Sequence, residues 1–346
     1  MSKPRIAVFA LGGTISMVKG EAGVRPGLTA EQLVAAAPGI DALAEIEART
    51  ISTIGSSDLS VGAVLDVARA VEAAVADGVD GAIVTQGTDT MEESAFLLDL
   101  ALRVDVPVAV TGAMRNPLSI SHDGPGNVYA AMQVVTDKAV RDQARDLGVM
   151  VVMLDSIHAA VDVAKANTSR IDAFASPEAG PIGVVIEDRV RLTGRPVRAH
   201  KTALDAELAD GTALTGVAPP LPSVAMLTMA MGESGALLAA LADDPETLGY
   251  QGIVLGAMGG GHTPSWLTPH LDVLTPRLPV VMAGRIQAGY LLAKTYEREG
   301  SEMDLLRRGV RSAGRLPPLK ARLLLNAMLM GGLDTAAMDR VWAAVN

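Results

Sequence analysis

Three polar residues stand side by side where an apolar run ends and a helical pattern begins. The segment 84–93 reads VTQGTDTMEE, so a glycine precedes Thr88, Asp89 and Thr90. Ser, Thr and Asp are preferred N-cap residues and the two glutamates suit a first helical turn, so helix capping explains the pattern. The alternative is that two hydroxyls and a carboxylate face a ligand at the mouth of a parallel sheet.

Two further loops carry hydroxyl groups. In LGGTIS (11–16), the paired glycines permit a tight turn that leaves Thr14 beside a ligand space, although a simple strand-to-loop turn also explains them. In IGSSD (54–58), Ser56 and Ser57 precede a helical pattern, where capping is the expected role. Each loop alone leaves a structural and a chemical interpretation open.

A hydroxyl group becomes a good nucleophile only when a base takes its proton. Lys165, in the segment DVAKANTSR (162–170), lies among small and mostly apolar residues. A lysine exposed at the surface is the default interpretation, but a lysine buried beside a hydroxyl could act as a base.

The elements that must position these groups alternate along the chain. Helical patterns at 61–77, 91–103 and 127–137 lie between predicted strands, and this order indicates a parallel sheet covered on both faces. Ligands bind beyond the carboxyl ends of such strands, where GGT (12–14) and GTDT (87–90) both fall. The predicted strands are 5–10, 82–85, 106–111, 148–154 and 183–186.

A second, smaller α/β unit is predicted after a region of weak periodicity and clustered prolines at 195–222. The predicted domains are therefore 1–198 and 223–346, joined by a linker at 199–222. In the second unit we predict strands at 223–229, 252–255 and 279–282, and helices at 235–242 and 318–330.

Composition excludes several classes of protein. A net charge of −10 argues against nucleic acid and anionic membranes as partners, and the absence of cysteine removes disulfides, thiolate nucleophiles and cysteine metal ligands. No apolar run is long enough for a secretory signal or a membrane span, so a cytoplasmic protein is expected. Neither GxGxxG, GxxxxGK[ST], GxSxG nor HExxH occurs, so we expect no nucleotide cofactor, no hydrolase-type serine triad and no metal.

The order and spacing of the motifs resemble those of the bacterial-type L-asparaginase family over essentially the whole chain. The matching segments are GGTIS, GSSD, QGTDTMEES, TGAMRN, DGPGN and DVAKANT, followed by GRIQAG and LKARLLLNAML. The resemblance implies a larger N-terminal α/β domain with a flavodoxin-like parallel sheet and a smaller C-terminal α/β domain. It also implies active sites shared between subunits of an intimate dimer, with two dimers commonly forming a homotetramer.

The resemblance also implies roles for the catalytic residues, with no metal or cofactor. Thr14 would attack the side-chain amide carbon of the substrate and form a β-acyl-enzyme. Thr88, Asp89 and Lys165 would form a second constellation opposite it, in which the Lys165 amine helps Thr88 to accept or relay a proton.

The remaining implied roles concern binding. Asp89 would hold the α-ammonium group of the substrate and Ser56 its α-carboxylate, while backbone near Ala113 and the Thr88 amide would stabilise the oxyanion. Ser57 stands where many members carry a glutamine that reaches the α-amino end, and His262, in GGGH, is the candidate lent by the neighbouring subunit. The loop 17–28 usually closes over the site and carries a tyrosine in many members, but here it has none.

The expected function is hydrolysis of L-asparagine to L-aspartate and ammonia. Two alternatives remain open at this point. One is an amidotransferase subunit that releases ammonia from glutamine, and the other is a non-catalytic amino-acid-binding protein on the same fold.

Overall fold

The computed structural model describes residues 3–20, 23–208, 213–245 and 248–345. Residues 21–22 of the predicted loop and 209–212 of the predicted linker lie outside this described part. The contacts of the chain cluster into two units, Met1–Val197 and Arg198–Asn346.

The first unit contains twelve strands and six α-helices among its described residues. Its strands are β1 (Arg5–Gly12), β2 (Met17–Lys19), β3 (Val24–Pro26), β4 (Glu45–Ile54), β5 (Gly81–Thr85), β6 (Val108–Thr111), β7 (Val149–Met153), β8 (Ser156–Ala159), β9 (Ala164–Lys165), β10 (Phe174–Ala175), β11 (Gly183–Ile186) and β12 (Arg189–Leu192). Its helices are α1 (Ala30–Ala35), α2 (Val61–Ala76), α3 (Met91–Ala101), α4 (Gly124–Thr136), α5 (Lys138–Arg141) and α6 (Ala144–Leu147).

Eight of these strands form one sheet in the order β12-β11-β8-β7-β6-β5-β1-β4. Five neighbouring strands are parallel, namely β4, β1, β5, β6 and β7. Strands β8, β11 and β12 extend the sheet in antiparallel pairings. The order β4-β1-β5-β6-β7 is the flavodoxin-like order, so this part of the predicted fold is confirmed. In such a sheet the ligand crevice lies where the strand order reverses, between the carboxyl ends of β1 and β5.

Burial explains why the central strands were predictable and the edge strand was not. Strands β5, β6 and β7 are buried at every residue. Among the helices of this unit, α2 packs against α3 and α1 packs against α4. Strand β4 lies at the edge beside β1 and is partly exposed throughout, so its sequence EIEARTISTI mixes charged and apolar residues. The sequence therefore carried no signal of a buried strand there.

The second unit contains a four-stranded parallel sheet in the order β13-β14-β15-β16. Helix α11 has the predicted bounds and packs against the first three of these strands. The elements are β13 (Val224–Thr228), β14 (Gly252–Ala257), β15 (Val280–Gly284), β16 (Arg311–Ser312), α7 (Ala199–Glu207), α8 (Ala236–Asp243), α9 (Thr268–Leu274), α10 (Glu302–Arg307), α11 (Pro318–Met330) and α12 (Thr335–Ala343).

A helix occupies part of the predicted linker. Helix α7 packs against α12, and its buried face includes His200 and Lys201 as well as Leu204. Buried polar residues hide the apolar period of a helix from sequence analysis, which is why this segment was predicted as irregular. The domain boundaries at 198, 199–222 and 223 stay a prediction. No helix within the described ranges is long and apolar enough to cross a membrane.

Candidate active site

The loops after β1 and β5 touch through two glycines. Gly13 has a φ of 80°, and a Cβ atom on it would lie 2.1 Å from the Cα and the N of Gly87. Any side chain at position 13 would collide with backbone, so this approach requires glycine. Thr14 and Thr88 each follow one of these glycines, and the contact therefore brings both threonines to the crevice between β1 and β5.

Thr14 opens a short 3-10 turn, Thr14–Ser16, and is half-buried. The turn is fixed by Ser16, whose hydroxyl donates to the Gly13 carbonyl at 2.9 Å. Within the described ranges no residue forms a hydrogen bond with the Thr14 side chain. The structure thus holds the backbone at Thr14 and leaves its hydroxyl available.

Lys165, on β9, contacts both Thr88 and Asp89. Its Nζ donates to Thr88 Oγ1 at 3.0 Å and to Asp89 Oδ1 at 2.6 Å. Thr88 is buried and the Lys165 side chain is 13% exposed, whereas the Asp89 side chain is 69% exposed. The three residues that the sequence placed in one constellation do lie together, and Lys165 is not a surface lysine.

The strand that carries Lys165 is held from two sides. Glu92, in the first turn of α3, accepts a hydrogen bond from the Lys165 backbone amide at 3.3 Å, and β9 pairs with β10.

Just after β10, the Ser176 hydroxyl lies 2.9 Å from Nδ1 of His158 on β8. Burial lowers the pKa of His158 to about 4, so this imidazole is neutral near neutral pH.

Ser56 binds the GTDT loop and does not cap a helix. Its hydroxyl accepts from the Asp89 amide at 3.2 Å, and its carbonyl accepts from the Thr90 hydroxyl at 2.9 Å. The N-cap of α2 is Ser60, whose side chain accepts from the Ala63 amide. Thr90 does stand at the N-cap of α3, as the capping interpretation of GTDT requires, but its hydroxyl donates to Ser56 and makes no capping hydrogen bond. The capping interpretation of Ser56 in IGSSD is wrong, because its hydroxyl connects two loops.

Ala113 lies in a loop that a buried carboxylate fixes. Asp123 Oδ2 accepts from the Met114 amide at 3.0 Å, and Asp123 Oδ1 accepts from the Arg115 amide at 2.9 Å. Asn127 donates to Asp123 Oδ2 at 2.9 Å and to the Gly112 carbonyl at 3.0 Å. These hydrogen bonds fix the backbone around Ala113, and Ala113 lines one pocket together with Ile15 of the loop after β1.

Ser57 is exposed, directly after the buried Ser56. The predicted loop 17–28 forms a short hairpin of β2 and β3 in its described part. The amides of Gly27 and Leu28 both donate to the Ser16 carbonyl, which ties the base of the hairpin to the Thr14 turn. A movement of the hairpin would therefore act directly on the segment that holds Thr14.

His262 lies in the second unit, in a tight turn after β14 where Met258 bridges to His262. Its ring meets the ring of Tyr296 edge to face, with centroids 5.0 Å apart. Its Nε2 is 3.3 Å from Oε2 of Glu302, a carboxylate with no exposed surface. No group of three or more potential metal ligands occurs within the part of the chain that the structure describes.

Sequence reasoning did not find four residues that hold the candidate site residues in place. Glu92, Asp123 and Asn127 fix backbone of the first unit, and Glu302 faces His262 in the second. Asp123 and Asn127 stand four residues apart in DGPGN, a spacing that places two side chains on one face of a helix. That spacing could have identified Asp123 and Asn127 from the sequence. No sequence pattern could have identified Glu302, because it is distant from His262 in the chain and only the folded structure brings the two together.

Comparison with known proteins gives a consistent result over the whole chain. Residues 5–198 match the family model described as asparaginase, N-terminal, and residues 223–341 match the glutaminase/asparaginase C-terminal domain. L-asparaginase 2 of Escherichia coli is 31% identical over 99% of this chain and 93% of its own length. The probable periplasmic L-asparaginase of Haemophilus influenzae is 33% identical over 97% of this chain and 92% of its own length.

A solved structure agrees with these sequence matches. The crystal structure of a probable cytoplasmic L-asparaginase from Campylobacter jejuni superposes with a TM-score of 0.84. The two proteins are 32% identical, and the match covers 99% of each chain.

Proposed function

The chain belongs to the bacterial-type L-asparaginase family, and from this membership we propose that it hydrolyses L-asparagine to L-aspartate and ammonia through a threonine nucleophile. The observation that carries the proposal is the position of Lys165 Nζ between Thr88 and Asp89, at the crevice where the Thr14 hydroxyl forms no hydrogen bond with any described residue. This array contains a nucleophile and a path for its proton, and it needs no metal or cofactor.

In the first step we assign Thr14 Oγ1 as the atom that attacks the side-chain amide carbon. Its proton passes to the leaving nitrogen through the hydroxyl of Thr88, which Lys165 Nζ contacts at 3.0 Å. Ammonia leaves, and an ester between Thr14 and the β-carboxyl group remains. Water then attacks this ester, with the same relay accepting and returning the proton, and aspartate is released.

Backbone amides are assigned to the oxyanion that forms in each step. Thr88 follows Gly87, which contacts Gly13 beside Thr14, and Ala113 lines one pocket together with Ile15 of the Thr14 turn. Asp123 fixes the Ala113 loop through two amides. Preorganised donors matter greatly here, since the loss of one oxyanion donor typically costs about 10²–10³ in rate.

The charged head of asparagine is assigned to Asp89 and Ser56. Asp89 uses Oδ1 for Lys165, and because its side chain is 69% exposed we assign Oδ2 to the α-ammonium group. The Ser56 hydroxyl accepts from the Asp89 amide and keeps its own proton to donate to the α-carboxylate. Ser57 is assigned to the same end of the substrate but is too short to replace a glutamine there.

We assign His262 to the active site of a second copy of the chain. The second unit exposes large apolar side chains near this histidine, with Tyr290 58% and Tyr296 47% exposed. Leu292, which is 38% exposed, donates its amide to Gly260 in the same turn. An exposed aromatic patch of this kind is typical of a subunit interface, which supports a homodimer with shared sites, two of which would form a tetramer.

The assembly has its own test. Analytical ultracentrifugation and activity assays over the same dilution series should show specific activity falling as the dimer dissociates. Full specific activity in a species with the mass of a monomer would contradict the shared site.

Ammonia release from purified protein with asparagine tests the proposed reaction. The proposal predicts equal amounts of ammonia and aspartate. Binding of asparagine without turnover would instead support the non-catalytic binder, and release from glutamine alone would support the amidotransferase-type reaction. The proposed place of action is the cytoplasm, by similarity to the probable cytoplasmic L-asparaginase of Campylobacter jejuni.

A further inference from the structure

A buried carboxylate in the second unit faces His262. Glu302 has no exposed surface, while the His262 side chain is 18% exposed. The nearest atoms are Nε2 of the imidazole and Oε2 of the carboxylate, which lie 3.3 Å apart. Neither atom forms a hydrogen bond with any other residue in the described ranges.

The other carboxylate oxygen of Glu302, Oε1, accepts two hydrogen bonds. Oε1 accepts from the Thr295 amide at 2.9 Å and from the Tyr296 amide at 2.6 Å. Burial alone would raise the pKa of Glu302, but the hydrogen bonds from these backbone amides help to outweigh it, and the pKa lies below its usual range. The carboxylate is therefore ionised, and Oε2 offers only an acceptor to His262.

Leaving the buried Oε2 of Glu302 without a hydrogen-bond donor would be costly. Among the residues that the structure describes, His262 can supply this donor if its proton is on Nε2. A neutral imidazole carries one proton, so placing it on Nε2 leaves a lone pair on Nδ1. The Nδ1 edge of the ring faces Gly259, where a Cβ atom would lie 4.0 Å away. The missing side chain keeps that edge open.

We propose that Glu302 is a positioning residue that fixes His262 with its proton on Nε2, so that Nδ1 accepts a hydrogen bond from the α-ammonium group of the substrate in the neighbouring subunit. This role rests on the proposed function, in which His262 is assigned to the active site of a second copy of the chain. It also explains how a histidine serves beside Ser57, whose hydroxyl is too short to reach that group. Glu302 itself touches no substrate.

The substitution Glu302→Gln gives an unusual test, because it changes the direction of one hydrogen bond. The amide oxygen must take the place of Oε1, which two backbone amides require. The amide nitrogen then faces His262 as a donor, and Nε2 must become an acceptor. The proton moves to Nδ1, which would turn the acceptor for the substrate into a donor.

Nuclear magnetic resonance of histidine-labelled protein measures the proton position directly. In alkaline buffer, with the signal identified from a His262→Asn variant, wild-type His262 should carry its proton on Nε2, and Glu302→Gln should move it to Nδ1. The control Glu299→Gln changes a carboxylate that is 57% exposed, three residues away, and should leave the proton on Nε2. A wild-type proton on Nδ1 would overturn the proposal, even if the Glu302→Gln variant failed to fold.

Kinetics test the substrate half of the proposal. Glu302→Gln should raise KM for asparagine about 10-fold or more, because a donor would face the ammonium group, while kcat changes less. A moved proton with unchanged KM would overturn the contact with the ammonium group. A wild-type protein that releases no ammonia would refute the proposed function, and the proton position would still decide the role of Glu302.

Discussion

Lys165 Nζ lies 3.0 Å from Thr88 Oγ1, although 77 positions separate the two residues in the sequence. The contact joins the loop after β5 to the strand β9, and Asp89 holds the same ammonium group from the other side. From these two contacts we propose that Lys165 moves a proton at the candidate site and does not hold the head of the substrate.

Lys165→Met should therefore impair the chemical step. Methionine keeps most of the side-chain volume and removes the amine, so kcat should fall by about 10²-fold or more while KM stays within a few-fold. Steady-state kinetics would measure both values, with Lys138→Met as the control, because Lys138 is exposed and pairs with the exposed Asp142. A raised KM with unchanged kcat would make Lys165 a binding residue.

Asp123→Asn should loosen the Ala113 loop. An amide offers one acceptor oxygen where the carboxylate now serves the Met114 and Arg115 amides with two. We expect kcat to fall about 10–100-fold with a smaller change in KM, and the free energy of unfolding to fall by about 1–3 kcal/mol. Asp142→Asn, at an exposed ion pair, is the control. Unchanged kcat in the Asp123→Asn variant would show that this loop does not position the oxyanion donors.

Ser57→Gln should lower KM for asparagine. Ser57 is exposed, so the longer side chain has room, and one hydrogen bond to a charged group is worth about 1.5–3 kcal/mol. We expect KM to fall by about 10-fold or more, whereas Thr53→Gln, on the exposed end of β4, should leave it unchanged. The α-ammonium group has three N–H donors, of which Asp89 and His262 are assigned two, so a glutamine at position 57 would accept the third. An unchanged or higher KM in a folded Ser57→Gln variant would show that position 57 does not reach this group.

The sequence predicted the parts of the fold in which burial is uniform. The strands β5 to β7 were found because they are buried at every residue, and the helix α11 because most of its buried residues are apolar, although it also buries Lys320 and Asn326. Strand β4 was missed because an edge strand with exposed residues has a mixed pattern, and α7 because it buries His200 and Lys201. In both cases tertiary contacts stabilise an element that its local sequence does not specify.

The same limit applies to the candidate site. The motifs predicted that Thr88, Asp89 and Lys165 belong together, and the structure brings them within hydrogen-bonding distance. The sequence did not show that Asp89 already pairs with Lys165, nor that Glu302 faces His262. Contacts between residues distant in the chain depend on the register of whole elements, which local patterns do not encode.

His158 should make the protein sensitive to acid. Its pKa is about 4 in the folded state, because burial disfavours the charged form, against about 6.5 when unfolded. A lowered histidine pKa means that stability is complete above about pH 6.5 and is lost as the pH falls towards 4. At about pH 5 this one group should cost about 2 kcal/mol of folding free energy.

Thermal unfolding at about pH 7.5 and about pH 5 measures this effect. His158→Gln should show a smaller drop in unfolding temperature between the two conditions than the wild type. The exposed His122 provides the control, since His122→Gln should behave like the wild type. An equal drop in all three proteins would show that His158 does not carry the acid sensitivity.

The turnover of asparagine by two variants of Thr14 tests the central claim most directly. Thr14→Ser keeps a hydroxyl and should retain measurable release of ammonia and aspartate. Thr14→Val keeps the shape of the side chain without the hydroxyl, and kcat should fall by at least about 10³-fold while circular dichroism shows the same fold. A correctly folded Thr14→Val variant that releases ammonia at a rate near that of the wild type would contradict the account.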